Sequence, residues 1–156
     1  MLVLRRPRPR IDAPRVAAAA GPILLATLGV PFDPAASEFA VDSAVEAGQP
    51  LIVANLVVLP PLAMSVIMGY DQLDDPPDLA QSLRAPAELA WSLGVRVERL
   101  RVRSPRPVVA LLEVVAERSP GLLVFGPDRT KLSRRLYRKA AKAITDGAPC
   151  LVWLAQ

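Results

Sequence analysis

Residues 108–126 read VVALLEVVAERSPGLLVFG, and this stretch holds a complete helix-to-strand transition. Val108–Arg118 predicts a helix of apolar character, and Ser119-Pro120-Gly121 stops it. Leu122–Phe125 is then a strand with no polar residue at all, which ends at Gly126. A strand that apolar has to be buried on both faces, as strands of a parallel sheet are. The rest of the chain repeats the same alternation outward from this unit.

Downstream, Leu132–Thr145 predicts a helix that Gly147-Ala148-Pro149 ends, and Cys150–Leu154 predicts a last strand. Upstream, Val95–Val102 alternates less cleanly and suits an edge strand. Leu79–Leu93 is helical in pattern, ends at Gly94, and is expected to kink or restart at Pro86, which has no amide to donate. Leu51–Leu59 (LIVANLVVL) is a β-branched run that predicts a doubly buried strand. Asp33-Pro34 opens a helix with an acceptor at the N-cap and a proline at the first helical position. That helix runs through Ala36, Phe39, Ala40, Ala44 and Ala47 to Gly48, a C-cap residue. Ile23–Thr27 is the first apolar run. Pro60–Asp78, with Met64, Met68, Tyr70 and the acidic DQLDDPPD, reads as a long connection. The order is βαβαβαβαβ, and right-handed crossovers turn such an order into a parallel sheet covered by helices on both faces.

Composition narrows the chemistry. The chain has 156 residues, 52% of them hydrophobic, with no His and one Cys. That suffices for one domain with a sizeable core. Without His and with a single thiol, a Ser-His or Cys-His hydrolase, a disulfide scaffold and a structural zinc site are excluded. Asp71, Asp74, Asp75 and Asp78 lack the glycine turn of a calcium loop, so no metal is expected. The net charge of +4 resides in residues 1–20, which carry five Arg and one Asp. That proline-rich, self-repelling stretch predicts a flexible arm, leaving 21–156 as the folded domain. No run of 18 uninterrupted apolar residues exists to span a membrane. Gly21-Pro22 interrupts the one run that follows a basic stretch as an export signal would, so a cytoplasmic protein is expected.

Several stretches resemble the universal stress protein family. ILLATLGVPFDPAASEFAVDSAVEAG (residues 23–48) is similar to that family's first strand, turn and helix, and residues 108–126 to its third helix and fourth strand. Ala148-Pro149-Cys150-Leu151-Val152 matches its entry into the last strand. The resemblance implies a three-layer α/β sandwich of the adenine-nucleotide α-hydrolase-like type. Its five-stranded, doubly wound parallel sheet would have the order 3-2-1-4-5. It also implies a homodimer built through Leu151, Val152, Trp153 and Leu154.

Members of that family that bind ATP carry an Asp at the end of the first strand. They also carry Gly-x-x-Gly, nine residues, then Gly-Ser or Gly-Thr after the fourth. In this sequence the Asp position is Leu28. The first glycine is Gly126, the second falls on Arg129, and the last pair falls on Lys139-Ala140 or, counted back from Cys150, on Arg138-Lys139. Glycine serves such loops because bare backbone lets amides approach phosphate. Losing a charged hydrogen bond to the base costs about 1.5–3 kcal/mol. The resemblance therefore implies a member that does not bind ATP in the usual way. The opposing reading keeps Gly126 and lets Arg129, Lys131, Arg138 and Lys139 replace the lost amides with side-chain charge for ATP or another anion.

The last helix sharpens that alternative. From Arg129 to Lys142 there are seven cations and no acid. Lys131, Arg134, Arg135, Arg138 and Lys142 fall in a sector of about 100°, with Leu132, Leu136, Ala140, Ala143 and Ile144 expected opposite. Like-charged i,i+4 pairs cost about 0.2–0.5 kcal/mol each unless something offsets them. The acidic Asp71–Asp78 run, a small anion or a polyanion could do so. Nucleic acid is not favoured, since only Tyr137 and Trp153 lie near as stacking groups. Cys150 is expected to be a buried, inert thiol. With Asp128 the only carboxylate in the Gly126–Lys139 turn, the expected function is a non-catalytic, cytoplasmic homodimeric stress-response or signalling module. It would have an unidentified protein partner and no cofactor. The alternative is a nucleotide- or anion-binding, ATP-hydrolysing stress protein.

Overall fold

Ile23–Thr27 (β1) is buried along its whole length, which demands strands on both sides and helices above and below. The computed structural model supplies them and describes residues 21–59 and 77–156. The arm expected over residues 1–20 lies outside the described residues, as do Met64, Met68, Tyr70, Asp71, Asp74 and Asp75. After β1 come Pro34–Ala47 (α1), Leu51–Val58 (β2), Pro77–Ser92 (α2) and Val97–Ser104 (β3). Pro107–Arg118 (α3), Leu122–Phe125 (β4), Arg134–Gly147 (α4) and Leu151–Leu154 (β5) complete the order. The sheet has five strands in the order β3-β2-β1-β4-β5, and every pairing is parallel. Leu25 at its centre is in register with Val53 on one side and Val124 on the other.

Strand alternation divides the core between the two faces. Ile23, Leu25, Val53 and Val124 pack with Ala36, Ala40, Val41 and Ala44 of α1 and Leu79, Leu83, Ala87 and Ala90 of α2. Leu24, Ala26, Leu123 and Phe125 pack instead with Ala110, Leu111 and Val115 of α3 and Tyr137, Ala140 and Ile144 of α4. The result is the three-layer α/β sandwich that the alternation predicts.

The helix ends follow from local chemistry. The Asp33 side chain accepts from the Ala36 amide at 3.1 Å, and Pro34 stands in the first turn. Gly48 takes φ 64°, and the Gln49 amide reaches back to the Ala44 carbonyl at 3.1 Å.

Several boundaries differ from the sequence reading by one or two residues, and local hydrogen bonds explain two of them. α4 starts at Arg134 and not at Leu132, because the Ser133 hydroxyl accepts from the Leu136 amide and sets the cap there. β3 starts at Val97 and not at Val95, because the Val95 amide closes the end of α2 by donating to the Ala90 carbonyl at 3.0 Å. Helix α2 continues through Pro86, where a restart was a possible outcome. The lost bond falls on the Ser82 carbonyl, one turn back.

Candidate functional site

In a doubly wound sheet the crevice for a ligand lies where neighbouring strands send their chains to opposite faces. That point is between β1, followed by α1, and β4, followed by α4. The turn after β1 is held at both ends. The Thr27 hydroxyl donates to the Val30 carbonyl at 2.8 Å, and the Gly29 amide donates to Asn55 Oδ1 at 2.8 Å. Gly29 takes φ 69°, a conformation that a side chain resists. Leu28 is 9% exposed and belongs to the apolar cluster that contains Leu56, Leu111 and Phe125.

The turn after β4 is tied to the first by main-chain bonds. The Asp33 amide donates to the Gly126 carbonyl at 2.9 Å and the Asp128 amide to the Pro31 carbonyl at 2.8 Å, around an antiparallel bridge of Phe32 and Pro127. A Cβ on Gly126 would stand 2.3 Å from the Ala36 Cβ. Glycine is therefore required at 126 by the close approach of α1 to the end of β4, whatever else binds there.

Beyond Gly126, the Asp128 carboxylate accepts from the Thr130 amide at 2.9 Å and the Thr130 hydroxyl at 2.7 Å. The hydroxyl, then the amide, hold that carboxyl below its ordinary value. Arg129 lies with its guanidinium carbon 4.2 Å from the centre of the Tyr137 ring, a cation–π contact. Tyr137 stacks on Phe125 at 5.7 Å, and its hydroxyl donates to the Ala155 carbonyl. Burial pushes the Tyr137 phenol above its ordinary value, and this outweighs the opposing effect of Arg129.

Of the candidate residues, Gly126 and Arg129 thus come together at the β4–α4 turn. Lys131, Arg138 and Lys139 are exposed on that turn and on α4. Two expectations about α4 are corrected. Leu136, placed on the sheet-facing side, is 46% exposed, and Tyr137 fills that side instead because its ring reaches Phe125 while its hydroxyl finds an acceptor. The run of unrelieved cations also ends one turn early, since Lys142 pairs with Asp146 at 2.7 Å.

At the other end of the sheet, Val152 and Leu154 of β5 are buried against the chain's own α3/α4 cluster. Leu151 and Trp153 are half-buried on the opposite face, where Trp153 stacks on Phe39 at 5.3 Å. Cys150 is half-buried, and burial raises its thiol above the ordinary value.

Sequence reasoning passed over Asn55, the residue that holds the turn after β1. The signal was present: it is the only polar residue in LIVANLVVL. It passed over the Phe32–Pro127 bridge with no such signal, because pairing between two loops leaves no periodic trace. Among the described residues, no cluster of three or more His, Cys, Asp or Glu could hold a metal ion, and no helix is long and apolar enough to cross a membrane.

No curated protein matches the chain. Solved structures resemble it in fold. A universal stress protein in complex with cAMP is 21% identical, covers 88% of this chain and 98% of its own, and superposes with a TM-score of 0.57. A universal stress protein from Archaeoglobus fulgidus is 17% identical over 93% of this chain and 100% of its own, with a TM-score of 0.61. Another from that organism, in complex with dAMP, is 18% identical over 88% and 99%, with a TM-score of 0.59. The sequence pattern of the universal stress protein family itself matches residues 20–156. That span takes in every described strand and helix, and the chain belongs to the universal stress protein family.

Proposed function

We propose that this chain is a non-catalytic, cytoplasmic, homodimeric stress-response or signalling module that does not bind ATP in the manner usual for its family. The observation that carries the reading is Leu28. It stands where ATP-binding members of the family place an acid, and it is buried in the apolar core. A leucine in that setting packs well without a ligand and offers the edge of a base nothing to bond. The main-chain bonds that tie the two turns together across the switch point support the same reading. So does Gly126, whose lack of a side chain is explained by Ala36. The dimer through Leu151, Val152, Trp153 and Leu154 rests on the family resemblance and on the position of β5 at the sheet's edge.

Thermal melting of the full chain with ATP, AMP and inorganic phosphate tests this. A ligand at 100 times its dissociation constant adds about 2.7 kcal/mol, roughly 5–10 °C for a domain of this size. The expected result is no rise with either nucleotide. A rise with ATP that AMP and phosphate do not reproduce sinks the proposal. Light scattering at several concentrations checks the dimer, and a monomer at all of them removes that part.

A second reading has one observation in its favour. Lys131, Arg138 and Lys139 are exposed and their side chains make no hydrogen bond or ion pair among the described residues, so the basic turn can offer side-chain charge to ATP or another anion. The neighbours solved with cAMP and dAMP lend weight to nucleotide recognition on this fold.

A further inference from the structure

We propose that the face of β2 and β3 that carries Asn55 and the β3 arginines is a binding site for a small molecule bearing an oxyanion, carboxylate or phosphate, distinct from the switch point. β3 reads VERLRVRS. Strand alternation places Leu100 and Val102 toward the α3/α4 core, and they pack there. The same alternation places Arg99, Arg101 and Arg103 on the other face, with Val53 and Asn55 of β2. Register sets Val53 beside Arg99 and Asn55 beside Arg101. Three like charges therefore recur at spacings of about 7 Å along one side of a strand, where their repulsion has to be offset.

Two buried polar atoms on this face have no partner. Among the described residues, Asn55 Nδ2 and Arg103 Nε are the only buried side-chain nitrogens or oxygens without a hydrogen bond. The orientation of the Asn55 amide is set by chemistry: the Gly29 N–H is a donor, so Oδ1 must face it. The NH2 end is left turned away from its only partner, on a residue 3% exposed. A buried donor without an acceptor costs about 1–3 kcal/mol, so such a group calls for an explanation. Beside it lies a cavity of about 330 Å³ whose walls include Val53, Asn55, Leu83, Arg99 and Arg101. That volume falls within the usual range for small-ligand sites.

Arg101 already has a contact of its own, whereas Arg99 and Arg103 have no ion pair among the described residues. The opposite face of the same strand behaves differently, for Glu98 there is paired with Arg118 at 2.8 Å. An oxyanion in the cavity would accept from the Asn55 amide and from the guanidinium forks at once, which is the geometry arginine suits best.

Titration calorimetry of the full chain at low ionic strength, with sodium phosphate and with succinate, tests the site and separates the two sources of oxyanion. One or both anions are expected to bind. Arg99→Gln, at a residue that lines the cavity, should weaken that binding about tenfold or more. Asn55→Asp, which keeps an acceptor for Gly29 but turns the donor into a negative oxygen, should abolish it. Should Asn55→Asp fail to fold, the exposed Arg99 variant carries the test alone. Arg138→Gln with Lys139→Gln should leave the affinity unchanged, and this keeps the outcome separate from that of the basic turn.

The proposal is overturned if neither anion binds at about 10 mM, or if the Arg99 variant binds as the parent does. Loss of binding in the Arg138/Lys139 variant also overturns it. So does binding that appears only after Asp71→Asn, Asp74→Asn and Asp75→Asn, since the chain's own acidic run is then the natural partner of these arginines.

Discussion

The tips of β1 and β4 and the arginine-bearing face of β2 and β3 lie side by side in one sheet, yet they treat polar groups in opposite ways. At the tips, Thr27, Asp33 and Asp128 find hydrogen-bond partners within the two turns, Gly29 finds its own in Asn55 Oδ1 of β2, and Leu28 is buried beneath. On the β2/β3 face, Asn55 Nδ2 and Arg103 Nε are buried without partners. A site complete in itself gains stability from each of its members. A site left incomplete keeps that free energy for whatever completes it. The place where the fold family invites a ligand is thus the satisfied one, and the unsatisfied one begins on the neighbouring strand, β2.

Substitutions should therefore differ in size, and even in sign, between the two regions. Leu28→Asp has the largest expected effect. Lost packing alone costs about 2–5 kcal/mol, and a carboxylate in the apolar cluster adds to it, so urea unfolding should show a marked loss. A near-neutral result would mean that the tip is open to water and that the comparison fails. Gly126→Ala should cost about 1–3 kcal/mol through overlap with Ala36. Ala36→Gly combined with it should recover part of that loss, as expected of a steric origin and not of a lost phosphate contact.

Tyr137→Phe removes the hydroxyl that bonds the Ala155 carbonyl and should cost about 1 kcal/mol. The same hydroxyl predicts a pH dependence. Its folded-state pKa is raised by burial, so the folded chain holds the proton more tightly. Stability should be complete below the ordinary phenol value and decline as pH rises through the folded one. Alkaline unfolding of the parent and of Tyr137→Phe should therefore diverge in that window, and parallel curves would refute the assignment. Smallest of all, Arg103→Gln on the β2/β3 face should change stability by less than about 0.5 kcal/mol, in either direction. A loss comparable to that of Gly126→Ala would show that this face is already complete.

Much of this architecture could be read along the chain because it rests on local rules. LLVF between two stop signals predicts a doubly buried strand, and the strand is buried throughout. Asp33-Pro34 and Gly48 predict the two ends of α1 and form them. Two of the boundaries that moved, at Val95 and Leu132, did so because one amide or one hydroxyl was claimed by a neighbouring cap. A pattern of apolar spacing cannot foresee that claim. Leu136 and Tyr137 exchanged places for a similar reason: polarity ranks the leucine inward, while the tyrosine has a ring to stack and an acceptor within reach.

Read alone, the sequence determined the alternation of strands and helices, and with it a parallel sheet covered on both faces. Apolar period and stop residues act over a few positions and need no distant partner. Only the tertiary structure decided that Gly126 answers to Ala36, that Asn55 holds Gly29, and that the alternate arginines of β3 gather beside an unpartnered amide. Each of these joins residues far apart in the chain. Their chemistry depends on distances of a few ångströms, which the order of residues does not contain and which the packing of the sheet creates.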